Sequence, residues 1–230
     1  MDGILELLNR IEASGMIVPE EVREAMCSLH LEQFTSYDYD CFFHDRPVVF
    51  METKNGGVKT ISAPHMIVTL LHQLELSKGQ EVLVLGSKGG YLAALIATIL
   101  GEDGRVLLLD PSEEIIRHTA KALSGWPTID VRTIEAVEVA PIETPGDLNR
   151  IVVTGGVSEI PMWMKERIVE NGFVIAPIGE HRNQELMKIE RQGDELHPTS
   201  LGPVSFGPVN IIESEPQPLT ALEIVDLIET

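Results

Sequence analysis

Through its middle, the chain alternates short apolar runs with segments whose apolar residues recur at helical spacing. Apolar runs without polar alternation are typical of strands buried on both faces of a parallel sheet. Repeated strand–helix–strand units favour such a sheet, joined by right-handed crossovers. The pattern predicts strands at residues 81–85, 106–109, 129–134, 150–153 and 173–176, with helices at 90–100, 113–123 and 161–169. A further helix is predicted from Ser62 to the break at Lys78-Gly79. We therefore predict an α/β fold with a mostly parallel, doubly wound sheet.

The N-terminal flank follows another pattern. Residues 2–34 are predicted to form two short helices, because their apolar positions recur at spacings of three and four. Residues 35–55 are rich in Tyr, Phe and Asp and show no clear period. They are predicted to form an irregular arm that ends in the turn Asn55-Gly56-Gly57.

The C-terminal flank changes character after Gly179. A strand is predicted at residues 184–191, followed by a turn and by an irregular to extended segment at 195–206. This arrangement predicts an antiparallel edge on the sheet. Residues 219–228 have the apolar spacing of a short amphipathic helix.

The charge and hydropathy of the chain argue against nucleic-acid partners and against a membrane span. The chain has 230 residues with 36 acidic and 17 basic side chains, for a formal charge of −19. Such a surface repels phosphate backbones, so nucleic acid is not expected as a partner. No apolar stretch approaches the roughly 18 residues of a membrane span, and the start of the chain lacks a secretory pattern. A cytoplasmic location without membrane partners is therefore expected.

The cysteines and histidines do not indicate a metal site. Cys27 and Cys41 are the two cysteines of the chain, and no histidine pairs with either at the short spacing of a zinc site. No metal is therefore expected.

A glycine-rich turn follows the first predicted strand of the core. Residues 86–91 read Gly-Ser-Lys-Gly-Gly-Tyr and lead into a helix, where a ligand can approach the backbone and unpaired N–H donors. Asp110 ends the next strand, about twenty residues later, where an acid can accept bonds from ribose hydroxyls. The pattern indicates a nucleoside site, and the alternative is a tight turn beside a solvated Asp110. An NAD enzyme is disfavoured because Lys88 interrupts the dinucleotide fingerprint.

Seven consecutive residues identify a specific resemblance. The segment from Thr60 to Met66 reads Thr-Ile-Ser-Ala-Pro-His-Met, and it resembles the signature of the protein-L-isoaspartate O-methyltransferase family. Further stretches resemble that family at residues 45–47, 82–91, 151–156, 160–161, 171–172 and 176–179. Together they cover roughly residues 20 to 210. The family uses S-adenosyl-L-methionine (SAM) to methylate the α-carboxylate of isoaspartyl residues in aged proteins.

The resemblance implies a fold, a cofactor, a class of substrate and a set of site residues. The fold is the Rossmann-like type of SAM-dependent methyltransferases, the cofactor is SAM, and the partners are proteins or peptides that contain isoaspartate. Ser62 is expected to hold the substrate carboxylate in catalysis, although a plain helix N-cap is the alternative for this residue. Substrate is expected at Ala63, Pro64 and His65. Cofactor is expected at Gly86, Ser87, Gly89, Gly90, Tyr91, Asp110 and Glu135. The oligomeric state is left open.

Three positions depart from the family pattern. Val84 stands where the family has an acid, Lys88 stands where it has a glycine, and Glu135 replaces an aspartate between glycines. If SAM binds, we expect the Lys88 side chain to point away from the methionyl end of the pocket, because an ammonium beside a cationic cofactor is unfavourable. The departures leave two alternatives: a catalytically degenerate binding or regulatory module, and a methyltransferase with another substrate.

We predict one methyltransferase-like domain over residues 1–230. It comprises N-terminal helices and an arm in 1–60, a SAM-binding core in 61–210, and a tail with a short helix in 211–230.

Overall fold

A computed structural model of the chain describes residues 2–54, 56–180 and 183–209. In this part of the chain the α-helices are α1 (Asp2–Ala13), α2 (Glu20–Ser28), α3 (Pro64–Leu74), α4 (Tyr91–Leu100), α5 (Glu113–Ala122) and α6 (Met162–Arg167). The strands are β1 (Val48–Glu52), β2 (Val58–Ile61), β3 (Glu81–Leu85), β4 (Arg105–Asp110), β5 (Ile129–Thr133), β6 (Leu148–Val153), β7 (Ile168–Glu180), β8 (Asn183–Gln192) and β9 (Glu195–Val204).

Seven of these strands form one sheet in the order β5-β4-β3-β6-β7-β8-β9. Strands β3 to β7 pair in parallel, and β8 and β9 extend the sheet as antiparallel strands. The predicted mostly parallel sheet with an antiparallel edge is confirmed. From β3 the chain builds outward through β4 and β5, and then returns to place β6 on the other side of β3. This reversal opens a crevice at the carboxyl ends of β3 and β6, the usual ligand position in such sheets.

Successive residues of the central strands point into two separate cores. Val82 and Val84 of β3 pack with α1 to α5 on one face, whereas Leu83 and Leu85 pack with α6 on the other. Because both faces are covered, β3 is apolar at four consecutive positions, 82–85, as the unalternated run predicts.

Helix α4 is apolar on every side because it is buried on almost every side. Its sequence from Tyr91 to Leu100 has one exposed residue, Thr98, and the helix packs against α2 and β4. It begins directly after the glycine-rich turn, so the core holds the end of that turn in place.

Among the described residues, no helix is long and apolar enough to cross a membrane.

The prediction of an irregular arm is wrong for part of residues 35–55. This segment contains a short 3-10 helix at Asp40–His44 and strand β1, which pairs antiparallel with β2 in a separate two-stranded sheet. A register shift interrupts the pairing between Val49 and Met51. Residues 48–51 are all apolar, so the sequence of β1 shows no alternation of apolar and polar residues. The hairpin carries Lys59 and Thr60 toward the end of the main sheet.

Two boundaries in the C-terminal half also differ. Helix α6 ends at Arg167, because Ile168 pairs with Leu148 and begins strand β7 well before the predicted residue 173. Residues 195–204, predicted as irregular to extended, form a regular strand against β8. The helix predicted at 219–228 lies outside the described residues. The division of the chain at residues 60 and 210 stays a prediction.

Candidate ligand-binding cavity

A cavity of about 270 Å³ lies at the crevice between β3 and β6. Its walls come from the segments that directly follow three parallel strands, from the β1–β2 hairpin and from residues after β9. The lining residues are Phe50, Val58, Lys59, Thr60, Gly86, Ser87, Lys88, Asp110, Pro111, Ser112, Ile115, Thr154, Gly155, Gly207, Pro208 and Val209. Three of the predicted cofactor residues, Gly86, Ser87 and Asp110, are therefore brought together here.

Asp110 connects the two loops at the centre of the cavity. Its Oδ2 accepts a 2.8 Å bond from the Ser87 N–H, and its Oδ1 accepts a 2.9 Å bond from the Ser112 N–H. The side chain is buried at the end of β4. Burial raises the pKa of the Asp110 carboxyl, while the two backbone bonds, Lys59 and Lys88 oppose that shift. Each carboxylate oxygen keeps a further acceptor position for a ligand donor.

Gly86 is required by the close approach of strand β6. Its φ is +95°, and a Cβ at this position would lie 2.3 Å from Oγ1 of Thr154. The Thr154 hydroxyl donates to the Gly86 carbonyl at 2.8 Å, and the Gly86 N–H donates to the Leu109 carbonyl at 2.8 Å. The first residue of the turn is thus fixed between β4 and β6.

Gly89, Gly90 and Tyr91 are placed by the protein core and do not line the cavity. A Cβ on Gly89 would meet Phe50 at 2.9 Å, and one on Gly90 would meet Leu123 at 3.0 Å. Tyr91 is fully buried and stacks edge-on with Phe34 and Phe42. Packing contacts account for these three residues in the structure, and their predicted contact with the cofactor stays a prediction. They keep the turn close to the hairpin and to α5.

Glu135 is also absent from the cavity wall. It is exposed, two residues beyond the end of β5. The preceding residue, Ile134, donates its N–H to the Asp110 carbonyl at 3.2 Å. The backbone therefore stays near β4 while Glu135 is exposed and outside the cavity lining, and its predicted contact with the cofactor stays a prediction.

Lys88 turns into the cavity. Its φ is +44°, a left-handed conformation that residues other than glycine rarely adopt. Its Nζ lies 5.9 Å from the ring centroid of Phe206, which directly precedes the cavity-lining Gly207. Burial lowers the pKa of the Lys88 ammonium, nearby Lys59 lowers it further, and Asp110 opposes both effects. The Lys88 side chain is therefore part of the cavity wall, and its orientation relative to the methionyl end of a bound cofactor stays a prediction.

The segment after β9 closes one side of the cavity and was not foreseen. The buried amide of Gln184 donates to the Phe206 carbonyl at 3.1 Å and accepts from the Phe206 N–H at 2.7 Å. Gly156 donates its N–H to the Gly207 carbonyl at 2.9 Å. A Cβ on Gly156 would meet the Gln184 amide nitrogen at 2.2 Å. The glycine pair after β6 was the available sequence signal, because paired glycines mark a close backbone approach.

Ser62 follows β2 directly and does not cap helix α3. The N-cap is Ala63, with extended backbone angles and no side-chain bond, so the predicted N-cap role of Ser62 is wrong. Ser62 is half-buried, and its hydroxyl makes no hydrogen bond to any described residue. It lies two residues after the cavity-lining Thr60. Its hydroxyl therefore has its bonding capacity available for a ligand.

Asp45 bonds to both the backbone and the ring of His65, in the first turn of α3. Oδ1 of Asp45 accepts the His65 N–H at 2.8 Å, and Oδ2 lies 2.9 Å from Nδ1 of His65. This contact raises the pKa of the His65 imidazole, against the effect of its burial. Both residues line a second cavity of about 440 Å³, between α1 and α3. His65 therefore anchors the segment, while Ala63 and Pro64 are buried at the start of α3.

Comparison with known proteins adds a family and a fold. The family model for protein-L-isoaspartate(D-aspartate) O-methyltransferase matches residues 4–213. A Methanopyrus kandleri protein named protein-L-isoaspartate O-methyltransferase is 30% identical over 207 residues, covering 88% of this chain and 89% of that protein. An Ignicoccus hospitalis protein of the same name is 30% identical over 215 residues, covering 91% and 97%.

Two solved structures with related names share the fold. One, named protein-L-isoaspartate O-methyltransferase, superposes with a TM-score of 0.80 at 22% identity, over 90% of this chain and 66% of that chain. The other, a Plasmodium falciparum protein described as a protein-L-isoaspartate O-methyltransferase in complex with S-adenosyl-L-homocysteine, gives 0.74 at 22% identity, over 89% and 97%.

The geometry of the turn generates a stability prediction. Gly86→Ala should lower the free energy of unfolding by about 2–4 kcal/mol, because it adds left-handed strain and a clash with Thr154. The control is Gly125→Ala, where a Cβ meets no atom within 4 Å, and which should change stability by at most about 0.5 kcal/mol. Urea unfolding measures both. Equal changes for the two variants would show that Thr154 does not constrain the turn.

Proposed function

Because the chain belongs to the protein-L-isoaspartate(D-aspartate) O-methyltransferase family, we propose that it transfers the methyl group of SAM to the carboxylate of isoaspartyl residues. The observation that carries this proposal is the arrangement of the cavity. A buried acid, Asp110, and a glycine-rich turn stand at the reversal of strand order, and the Ser62 hydroxyl follows the hairpin that lines the same cavity.

The residues of the cavity fit an adenosyl cofactor. Asp110 keeps acceptor positions for the two ribose hydroxyls after its bonds to Ser87 and Ser112. Apolar side chains, including Phe50 and Ile115, line the same space and suit the flat face of a purine ring. When bound, the cofactor supplies an electrophilic methyl group on a sulfonium.

The chain itself needs to align the acceptor and does not need a general base. A carboxylate is ionised at neutral pH and is already a nucleophile. The required contribution is to orient its oxygen and to exclude water. Ser62 suits the first task, because its hydroxyl donates to no described residue and it lies two residues after the cavity-lining Thr60. His65 is not needed as a base, since the acceptor carboxylate is already ionised, and it lines the second cavity beside Asp45.

The family match supports the enzyme and gives no support to the degenerate-module alternative. A cytoplasmic location stays a prediction from the sequence. The absence of nucleic-acid partners also stays a prediction, supported by the net charge of −19, which repels phosphates.

The position of Asp110 predicts a loss of cofactor binding on substitution. Asp110→Asn should weaken the binding of S-adenosyl-L-homocysteine by about 1–3 kcal/mol, since the amide loses charge and acceptor capacity toward ribose hydroxyls. Calorimetric titration measures the affinity, and melting curves identify any loss of the loop contacts. Asp130→Asn, an exposed change on β5, is the control and should bind as the wild type does. Wild-type affinity in the Asp110 variant would contradict the assignment.

The free hydroxyl of Ser62 generates the catalytic prediction. Ser62→Ala should reduce methyl transfer to an isoaspartyl peptide by roughly ten- to a hundred-fold, the value of one oriented bond to a charge. The melting temperature should stay at the wild-type value, because this hydroxyl caps no helix.

The assay follows labelled methyl transfer from SAM to the isoaspartyl and aspartyl versions of one peptide. Ser77→Ala, an exposed serine beyond α3, is the matched control and should keep full activity. Unchanged turnover in the Ser62 variant, or an equal loss in the control, would exclude Ser62 as the group that aligns the substrate carboxylate.

A further inference from the structure

Two lysines from different elements enter the same cavity. Lys59 comes from strand β2 and Lys88 from the turn after β3, and both line the space beside Asp110. Among the described residues, neither lysine forms an ion pair within 4.0 Å. Asp110 already accepts a backbone N–H at each oxygen. We call Lys59 and Lys88 the lysine pair.

The position of Lys88 is unfavourable in two independent ways. Its backbone is left-handed at φ +44°, a conformation that glycine adopts without strain. Burial of the Lys88 side chain disfavours the charged form of its ammonium. Strain of this kind persists where the surrounding structure enforces it, and it is concentrated at functional sites.

The Lys88 ammonium has a weak contact with the Phe206 ring and, among the described residues, no ion pair within 4.0 Å. Its Nζ lies 5.9 Å from the Phe206 ring centroid, near the limit of a cation–π contact. Each lysine also disfavours the charged form of its neighbour, and burial lowers the pKa of Lys59 as well. An anion placed between the two lysines would favour their charged forms, because it would offset both the burial and the repulsion between the two ammonium groups.

The charges of the cavity then select a group on the ligand. With both lysines protonated, the lysine pair outweighs the single charge of Asp110, so the described cavity wall is cationic. SAM carries a sulfonium and an ammonium, which this wall repels, and one carboxylate, which it attracts. The cofactor can enter such a cavity favourably when its carboxylate faces the lysines.

We propose that the lysine pair binds the carboxylate at the methionyl end of the cofactor, so that this chain recognises its cofactor through the anionic group. The proposal rests on the proposed function and adds two residues to it. The isoaspartyl substrate also presents a carboxylate, and the test separates the two sources.

The test compares two ligands that differ in one group. S-adenosyl-L-homocysteine and its decarboxylated analogue, the adenosyl thioether of propylamine, are titrated calorimetrically into wild type, Lys88→Met and Lys59→Met. Lys78→Met, an exposed lysine outside the cavity, is the matched control. Methionine keeps much of the length of the lysine side chain and, like lysine, is a non-glycine residue at the left-handed position 88, so the variants are designed to remove charge with little change in packing.

We expect wild type to prefer the carboxylate-bearing ligand, and we expect this preference to depend on the two lysines. Wild type and Lys78→Met should bind the carboxylate-bearing ligand about ten- to a hundred-fold more tightly than the decarboxylated one. Lys88→Met should lose most of this preference, and Lys59→Met should lose part of it. In all variants the decarboxylated ligand should bind at least as well as it does to wild type.

Each other outcome overturns the proposal in a distinguishable way. Equal affinity of wild type for the two ligands would leave the cofactor assignment standing and remove the carboxylate contact. A preference that survives both substitutions would assign the carboxylate to another group. The methyl-transfer assay described above also gives KM for the isoaspartyl peptide in each variant. An unchanged cofactor preference with a raised KM would assign the lysines to substrate. Failure of wild type to bind either ligand would contradict the proposed function itself, and this inference with it.

Discussion

The Asp110 carboxylate determines the arrangement of the site, because it bonds to two loops at once. Its two oxygens hold the N–H groups of Ser87 and Ser112, the loops that follow β3 and β4. Ser87 in turn contacts Thr119 of α5 through their hydroxyls, at 2.7 Å. One buried acid therefore sets the spacing between the turn, the end of β4 and α5. A ligand that bonds to this carboxylate meets walls that are already in position.

The remaining walls are held by close backbone approaches. Thr154 fixes Gly86 from the side of β6, and Gln184 fixes the segment that begins at Phe206. Apolar packing holds the back of the turn, where Gly89 lies against Phe50. Against this rigid frame, Lys88 is the costly element. It has a left-handed backbone conformation that favours glycine, and its ammonium is buried. Both features are unfavourable for folding, and such strain is typical of functional sites.

The sequence predicted the elements whose signal is local. Strands β3 and β4 contain unalternated apolar runs, and Asp110 directly follows the run of β4. The sheet and its acid could therefore both be predicted from the sequence. The hairpin of β1 and β2 was missed because β1 is apolar at residues 48–51 and so lacks the apolar–polar alternation of a half-buried strand. The wall after β9 was missed because contacts distant in sequence hold it, such as Gln184 with Phe206. Tyr91 was assigned to the ligand because it belongs to the motif, whereas its ring packs in the core. Periodicity cannot report on such tertiary contacts.

The central claim is that one cavity, organised by Asp110 at the reversal of strand order, binds the adenosyl cofactor. A crystal structure of the chain with S-adenosyl-L-homocysteine tests it most directly. The account predicts that both ribose hydroxyls lie within hydrogen-bonding distance of the Asp110 carboxylate, with the sulfur facing Ser62. A nucleoside bound elsewhere, or one whose ribose makes no contact with Asp110, would contradict it.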